Sequence, residues 1–253
     1  MKYLERASIT ENHAITDAVW KMVLKSPQIA GCAHPGQFVM LEAPGPDLLL
    51  RRPLSIADAD SGKGTVTFIY RLVGKGTKRY TKLRAGDVLS LEGPLGTGFT
   101  LGRGRELLVG GGVGIAPLIF LARLLPVKPV LLIGGRTAEE LFWKEFLEPH
   151  AEEVLLTTDD GTAGVRGTTV DRLPDALAEY DVEAIKSCGP AIMMKGVAAI
   201  AGAQGKPCEV SLETRMGCGF GVCLGCTFEG RESGRRRKIC TEGPVFSAKE
   251  VFG

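Results

Sequence analysis

Residues 105–125 read RELLVGGGVGIAPLIFLARLL. An apolar run at Leu107–Val109 meets three consecutive glycines, and a second apolar run follows, interrupted by Arg123. A short continuous apolar run beside glycines reads as a strand buried on both faces, and the longer run after the turn as a helix packed back over it. Strand, turn and crossover helix together begin a parallel sheet. The pattern then repeats. KPVLLIGGR (128–136) reads as a second buried strand, and TAEELFWKEFLE (137–148) as an amphipathic helix with Leu141, Phe142, Phe146 and Leu147 on one face. EEVLLTTDDG (152–161) is a third strand, GTTVDRLPDALAEY (167–180) mostly helix, VEAIKSCGP (182–190) a fourth strand and AIMMKGVAAIAGAQG (191–205) its helix.

Upstream the texture is different. GTVTFIYRLV (64–73) alternates, with Val66, Phe68, Tyr70 and Leu72 on one side and Thr67, Ile69 and Arg71 on the other. AVWKMVLKS, GQFVMLEA and LRAGDVLSLEGPLG read as further short strands cut by turn residues, with one helical insert at 77–84. Such a series predicts a small antiparallel barrel. The expected fold is therefore a β barrel plus an α/β layer, divided as 1–102 antiparallel barrel, 103–207 parallel-sheet nucleotide-binding domain, and 208–253 a cysteine-bearing segment.

That last segment contains MGCGFGVCLGC (216–226) and RKIC, ending at Cys240. The spacing is C-x4-C-x2-C-x13-C, through Cys218, Cys223, Cys226 and Cys240. Its first two gaps are those of plant-type [2Fe–2S] proteins, and glycines beside the thiols let backbone wrap closely around sulfide. Four cysteines also suit a structural zinc, although zinc sites usually show two C-x2-C pairs and one is present here. Disulfides would need an oxidising compartment. The opening MKYLERASIT lacks the apolar core of a secretory signal, and the seven cysteines are an odd number, so a reducing, cytoplasmic setting is expected.

Composition bounds the function. Apolar residues make up 44% of 253, enough for a proper core, and the net charge of +2 implies no nucleic-acid partner. RRRK (235–238) is short enough to be a solvated hairpin tip. The most apolar stretch, 107–133, is broken by glycines, Pro117, Arg123, Pro126 and Lys128, so no membrane span is expected.

Four further stretches carry possible chemistry. In GGGVGIAP (110–117), Gly112, Gly114 and Pro117 form G-x-G-x-x-P, either a tight turn or a place where backbone approaches a diphosphate at a helix start. In RRPLSI (51–56), Arg52 can pair with a phosphate and Ser55 with a flavin edge, or the pair can simply open a strand. GKGT (74–77) places Gly76 and Thr77 at a helix start, which is an anion site or an ordinary N-cap. CGP (188–190) ends the fourth strand, where Cys188 faces a nicotinamide or sits in the core, and Asp159 or Asp160 meets a ribose or makes a turn.

In this order the motifs resemble the ferredoxin–NADP reductase superfamily. With the trailing cysteine segment, the whole chain resembles the electron-transfer subunits of bacterial type B dihydroorotate dehydrogenases. The resemblance implies FAD held by Arg52, Pro53, Leu54 and Ser55, by Ile69, Tyr70 and Arg71, and by Gly76 and Thr77. It implies a [2Fe–2S] cluster on Cys218, Cys223, Cys226 and Cys240. It implies NAD docked over the flavin, its diphosphate near Gly112, Gly114, Ile115 and Ala116, with Cys188 nearby. Leu54 stands where the superfamily often has tyrosine, and no aromatic flavin lid is carried over to the ending VFG. The implied partner is an FMN-containing catalytic subunit that oxidises dihydroorotate for pyrimidine biosynthesis, in a heterotetramer with two copies of each subunit. None of the three histidines (His13, His34, His150) lies in a catalytic motif, so no catalytic acid–base residue is expected here. The alternatives are the small subunit of an NADH-dependent ferredoxin–NADP oxidoreductase or sulfide dehydrogenase, and a zinc-bearing interaction module. Arg136 can meet a 2′-phosphate, but Glu139 and Glu140 oppose one, and the resemblance favours NAD.

Overall fold

The structure, a computed structural model, describes residues 1–253. It divides into two compact units, one of residues 1–98, 213–228 and 238–244, the other of residues 99–212, 229–237 and 245–253. Residues 208–253, read above as one region, are shared between them.

The first unit is built on strands β1 (Tyr3–Ala14), β2 (Val19–Lys25), β3 (Phe38–Leu41), β4 (Arg52–Ser55), β5 (Asp58–Asp60), β6 (Thr65–Arg71) and β7 (Val88–Leu95), with helices α1 (Pro27–Ala30) and α2 (Lys75–Tyr80). The order is β4-β3-β7-β1-β2-β6-β5, and neighbouring strands are antiparallel. β4, at one end of that order, packs against β6, near the other, so the sheet curls towards a barrel. Val66, Phe68 and Tyr70 of β6 lie inside with Met22, Leu24, Met40 and Leu91, and Ile69, on the other side, is buried as well, so the alternation of burial stops there. The helical insert is shorter than expected, ending as a helix at Tyr80.

The second unit begins with β8 (Glu106–Gly111), whose six residues are all buried. It continues through α3 (Ala116–Leu124), β9 (Val130–Gly135), α4 (Lys144–Leu147), β10 (Glu153–Thr158), β11 (Val165–Arg166), α5 (Thr169–Glu179), β12 (Ala184–Cys188), α6 (Ala191–Ala203) and β13 (Cys208–Ser211). After the hairpin strands β14 (Thr227–Glu229) and β15 (Arg236–Lys238), β16 (Val245–Ser247) and α7 (Ala248–Phe252) complete it. The sheet order is β11-β10-β9-β8-β12-β13-β16, parallel except for the β13–β16 pair. Leu107, Val109, Val130, Leu132 and Ile185 pack on Leu173, Ala176, Val197 and Ala201 of α5 and α6. No helix is long and apolar enough to cross a membrane.

One expected helix is broken. Residues 138–150 form a 3-10 turn, the four-residue α4 and a second 3-10 turn. Leu141, Trp143 and Leu147 are all buried there. On one regular helix, positions two apart point to nearly opposite sides, so Leu141 and Trp143 cannot share a buried face. The switch between 3-10 and α geometry turns both inward. RRRK lies on the β14–β15 hairpin with Arg235 and Arg236 exposed, while Arg237 packs over the Phe246 ring at 5.7 Å.

Candidate functional site

Three sets of residues were singled out by the sequence, and the first two lie in the first unit. β4, β6 and α2 are brought side by side because the sheet curls. Arg52, Pro53, Leu54 and Ser55 are all half-buried on β4. Ile69 and Tyr70 are buried and Arg71 is exposed. Gly76 and Thr77 are buried at the start of α2. A side chain at Gly76 would put its Cβ 2.6 Å from Arg52 Nε, so glycine there lets helix backbone lie against the guanidinium.

The two arginines of RRPLSI are not equivalent. Arg51 donates to the Ser90 carbonyl (2.7 Å), the Met40 carbonyl (3.3 Å) and Ser90 Oγ (2.9 Å), and so stitches the sheet. Arg52 donates to the Leu50 carbonyl at 2.5 Å and the rest of its fork makes no bond within the chain. An arginine with open donors beside a glycine cradle fits an anionic group such as a flavin diphosphate. At Thr77, read from the sequence as part of an anion site or of an ordinary N-cap, the hydroxyl is engaged within its own helix start. Its Oγ1 accepts from the Val73 and Gly74 N–H groups at 3.0 and 3.2 Å, closing its own turn.

The cysteine loop runs from 212 to 226 without strand or helix. It rests on the barrel. Gly219, at φ +81°, lies so close to Met40 and Leu95 that a Cβ would collide with Met40. Beyond it, Ile239 N–H donates to the Cys226 carbonyl (3.1 Å) and Thr97 N–H to the Gly243 carbonyl (2.5 Å). These contacts bring Cys240 back to the loop.

The four thiols fall into two pairs. Cys218 Sγ accepts the Cys223 N–H at 3.4 Å, and Cys226 is the thiol neighbour of Cys240. The Cys218 thiol also acts on Cys240, so the two pairs are neighbours. A binuclear centre asks for two thiolates per iron, which two neighbouring pairs supply. Burial pushes the Cys218 thiol up, but N–H donors from Cys223, Phe220 and Val222 outweigh it and bring it down to about 6. Burial and the Cys226 thiol push Cys240 up to about 12. Gly217 completes the cradle, since a Cβ there would come 3.2 Å from Cys223 Sγ. The donor set and its glycine backbone fit an iron–sulfur centre.

The third set lies in the second unit, at the carboxyl ends of β8 and β12. Gly112 has φ +56° and is exposed, and a Cβ there would meet nothing. Gly114 is different: its Cβ would sit 2.6 Å from Gly189 Cα and N. The turn therefore presses on the backbone just after Cys188, which pairs with Gly110 in the parallel register. Gly114, Ile115, Ala116 and Cys188 are all buried, so of these residues Gly112 offers an open surface. Asp160 accepts from Thr162 N–H (2.9 Å) and Oγ1 (2.6 Å), forming a turn, and those bonds hold its carboxyl below the usual range. Asp159 is exposed beside it. Arg136 is met by Glu140 Oε1, at 2.9 Å from Nε and 2.5 Å from Nη2.

Comparison with known proteins gives a consistent picture. Residues 6–99 match the oxidoreductase FAD-binding domain, and residues 213–252 the iron–sulfur cluster binding domain of dihydroorotate dehydrogenase B. The chain is 35% identical over 259 residues to the electron transfer subunit of dihydroorotate dehydrogenase B (NAD(+)) from Caldanaerobacter subterraneus subsp. tengcongensis, covering 100% of both chains. It is 38% identical over 257 residues to the subunit of that name from Geobacillus thermodenitrificans, covering 98% of each. Among solved structures, that of an NADH-dependent reduced ferredoxin–NADP oxidoreductase superposes with a TM-score of 0.87 at 32% identity, over 96% of this chain and 88% of that one.

Proposed function

The chain belongs to the family of electron-transfer subunits of dihydroorotate dehydrogenase B, an oxidoreductase family that uses FAD and an iron–sulfur cluster, and we propose how its residues serve that activity. The subunit passes electrons from dihydroorotate oxidation, carried out by a catalytic partner, to NAD+. Arg52, Pro53, Leu54 and Ser55, with Ile69, Tyr70 and Arg71, line the FAD site, and Gly76 and Thr77 close it. Arg52 takes a phosphate with the donors it does not use within the chain. Cys218, Cys223, Cys226 and Cys240 are the cluster ligands. NAD(H) lays its diphosphate along Gly112, Gly114, Ile115 and Ala116, the open Gly112 making the approach and the buried residues fixing the turn, with Cys188 behind.

When bound, the flavin would exchange a hydride with NAD(H) and single electrons with the cluster, so it supplies the conversion between the two. The residues set who meets whom. One observation supports this reading above the others: β3 is shared. Met40 of β3 is the residue on which the cluster loop rests at Gly219, and it is also the register partner of Pro53 in the flavin motif. One four-residue strand thus separates the two candidate cofactor sites.

The partner is read as an FMN-containing subunit, two copies of each forming the complex. The Arg136–Glu140 pair supports NAD over NADP, because the one cation after β9 is already countered. An odd number of cysteines, seven, with no disulfide among them supports a cytoplasmic setting. The ferredoxin–NADP oxidoreductase alternative rests on a structural match at 32% identity, and is weaker than curated relatives at 35–38% over nearly the whole chain. The test is steady-state turnover of the pure chain. It is expected to oxidise NADH with an artificial acceptor and to leave dihydroorotate untouched. Dihydroorotate-dependent reduction of NAD+ by the single chain would overturn the reading.

A further inference from the structure

α2 has six residues, too few to hold its own shape in water. Yet its backbone at Gly76 lies against the Arg52 guanidinium, so the pose of this short helix decides where that arginine points. Its far end leaves carbonyl groups without helical partners. The amide of Asn12, from β1, reaches that end: Nδ2 donates at 2.7 Å to the Tyr80 carbonyl, which also accepts the Leu83 N–H, and at 2.9 Å to the carbonyl of Leu83 in the turn just past the helix. The same side chain uses its oxygen on β6, where Oδ1 accepts the Tyr70 hydroxyl at 3.2 Å. Tyr70 in turn meets the Tyr80 ring edge-on, with centroids 5.7 Å apart.

A single half-buried amide therefore spends one donor on the last residue of α2, the other on the turn that follows it, and its acceptor on β6. α2 and β6 are two of the three segments that line the flavin surface. No other side chain bonds to both. Two further contacts hold α2 from its other sides. The Tyr80 hydroxyl donates to the Glu42 carbonyl at 3.0 Å, and Arg79 pairs with Asp47 through Nη1 and Nη2, at 2.5 and 2.9 Å. Those reach the loop before β4. Asn12 is the link to β6.

We propose that Asn12 is a positioning residue for the flavin: it fixes α2 against β6 so that Gly76 and Arg52 stand in register for the FAD diphosphate. The inference rests on the FAD site given above. An aspartate at this position keeps the shape and the acceptor but loses both N–H donors, and it faces two carbonyl groups with a carboxylate. α2 then moves while the rest of the sheet keeps its ladder.

The test is titration of the flavin-free, cluster-loaded chain with FAD, read as a dissociation constant and as the visible circular dichroism of the bound flavin. Asn12→Asp is expected to raise the dissociation constant about tenfold or more, about 1.4 kcal/mol by the logarithmic relation, and to weaken the dichroic band. Ile29→Ala, which empties a buried position on α1 away from α2, serves as a control for lost stability alone and is expected to bind FAD within about twofold of wild type. Should Asn12→Asp fail to fold, Tyr70→Phe removes only the hydroxyl bond and is expected to raise the constant by about threefold. Asn12→Asp, or Tyr70→Phe in its place, binding FAD like wild type with an unchanged dichroic band overturns the proposal. Arg52→Ala separates the two readings. If it too binds FAD normally, the site is wrong. If it binds weakly while the Asn12 and Tyr70 variants bind normally, the site stands and the positioning role falls.

Discussion

The turn at Gly110–Gly114 is held between a six-residue strand and a nine-residue helix, whereas Gly217–Cys226 lies on a stretch with neither. Both are dense in glycine, but the glycines do different work. In the first loop most are there for packing. Gly110 faces Ile115 and Leu118, Gly111 faces Met193, and Gly114 lies on the Gly189 backbone. Gly112 alone is there for its conformation. In the second loop Gly217 and Gly225 border Cys223 Sγ, at 3.2 and 3.7 Å for an added Cβ, and Gly219 docks the loop on Met40. A loop set by flanking elements is stable before any ligand arrives. A loop set by a few contacts and four thiols needs its cofactor to finish it.

Cys223→Ser tests that difference most severely. Iron and sulfide should fall to background while FAD per chain stays close to wild type, because the flavin segments end at Thr77, far from the loop in sequence. Wild-type iron in this variant would remove Cys223 from the ligand set. Gly114→Ala acts on the other loop. Its Cβ meets backbone, which cannot rotate away, and the cost should be about 1–3 kcal/mol in denaturant unfolding, with iron content unchanged. A change below about 0.5 kcal/mol would mean that the turn yields, and the contrast between the loops would weaken. Gly112→Ala should cost less, about 1 kcal/mol, since it meets no atom and pays only for φ +56°. Gly112→Asn should recover part of that, and equal losses for alanine and asparagine would argue against a purely conformational role.

How much of this was legible in the sequence follows from the same contrast. The parallel layer could be read from 105–125 and its repeats because strands buried on both faces leave unbroken apolar runs. β13 and β16 could not, since their sheet positions come from pairing with β12 and with each other, and CEVS and VFS are too short to carry a period. The cysteines proposed as ligands announced themselves by spacing, as thiols carry their own chemistry. The proposed flavin residues did not, because RRPLSI and GKGT mean little until the curling sheet sets β4, β6 and α2 together. Sequence singled out Arg52 of the two arginines but gave Arg51 no role, and the hydrogen bonds show Arg51 to be the stitching residue and Arg52 the open one. Asn12 gave no signal at all: a lone amide on a strand is unremarkable until both of its ends find partners 58 and 71 residues away.

The central claim is that electrons from the partner subunit reach this chain's flavin through the cysteine loop beside β3. Stopped-flow reduction of the assembled complex carrying Cys223→Ser tests it most directly, once a pull-down has shown that the complex still forms. NADH should reduce the flavin of this chain at close to the wild-type rate, while dihydroorotate should no longer reduce it. Flavin reduction by dihydroorotate at the wild-type rate would contradict the claim and leave the cysteine loop as a structural brace.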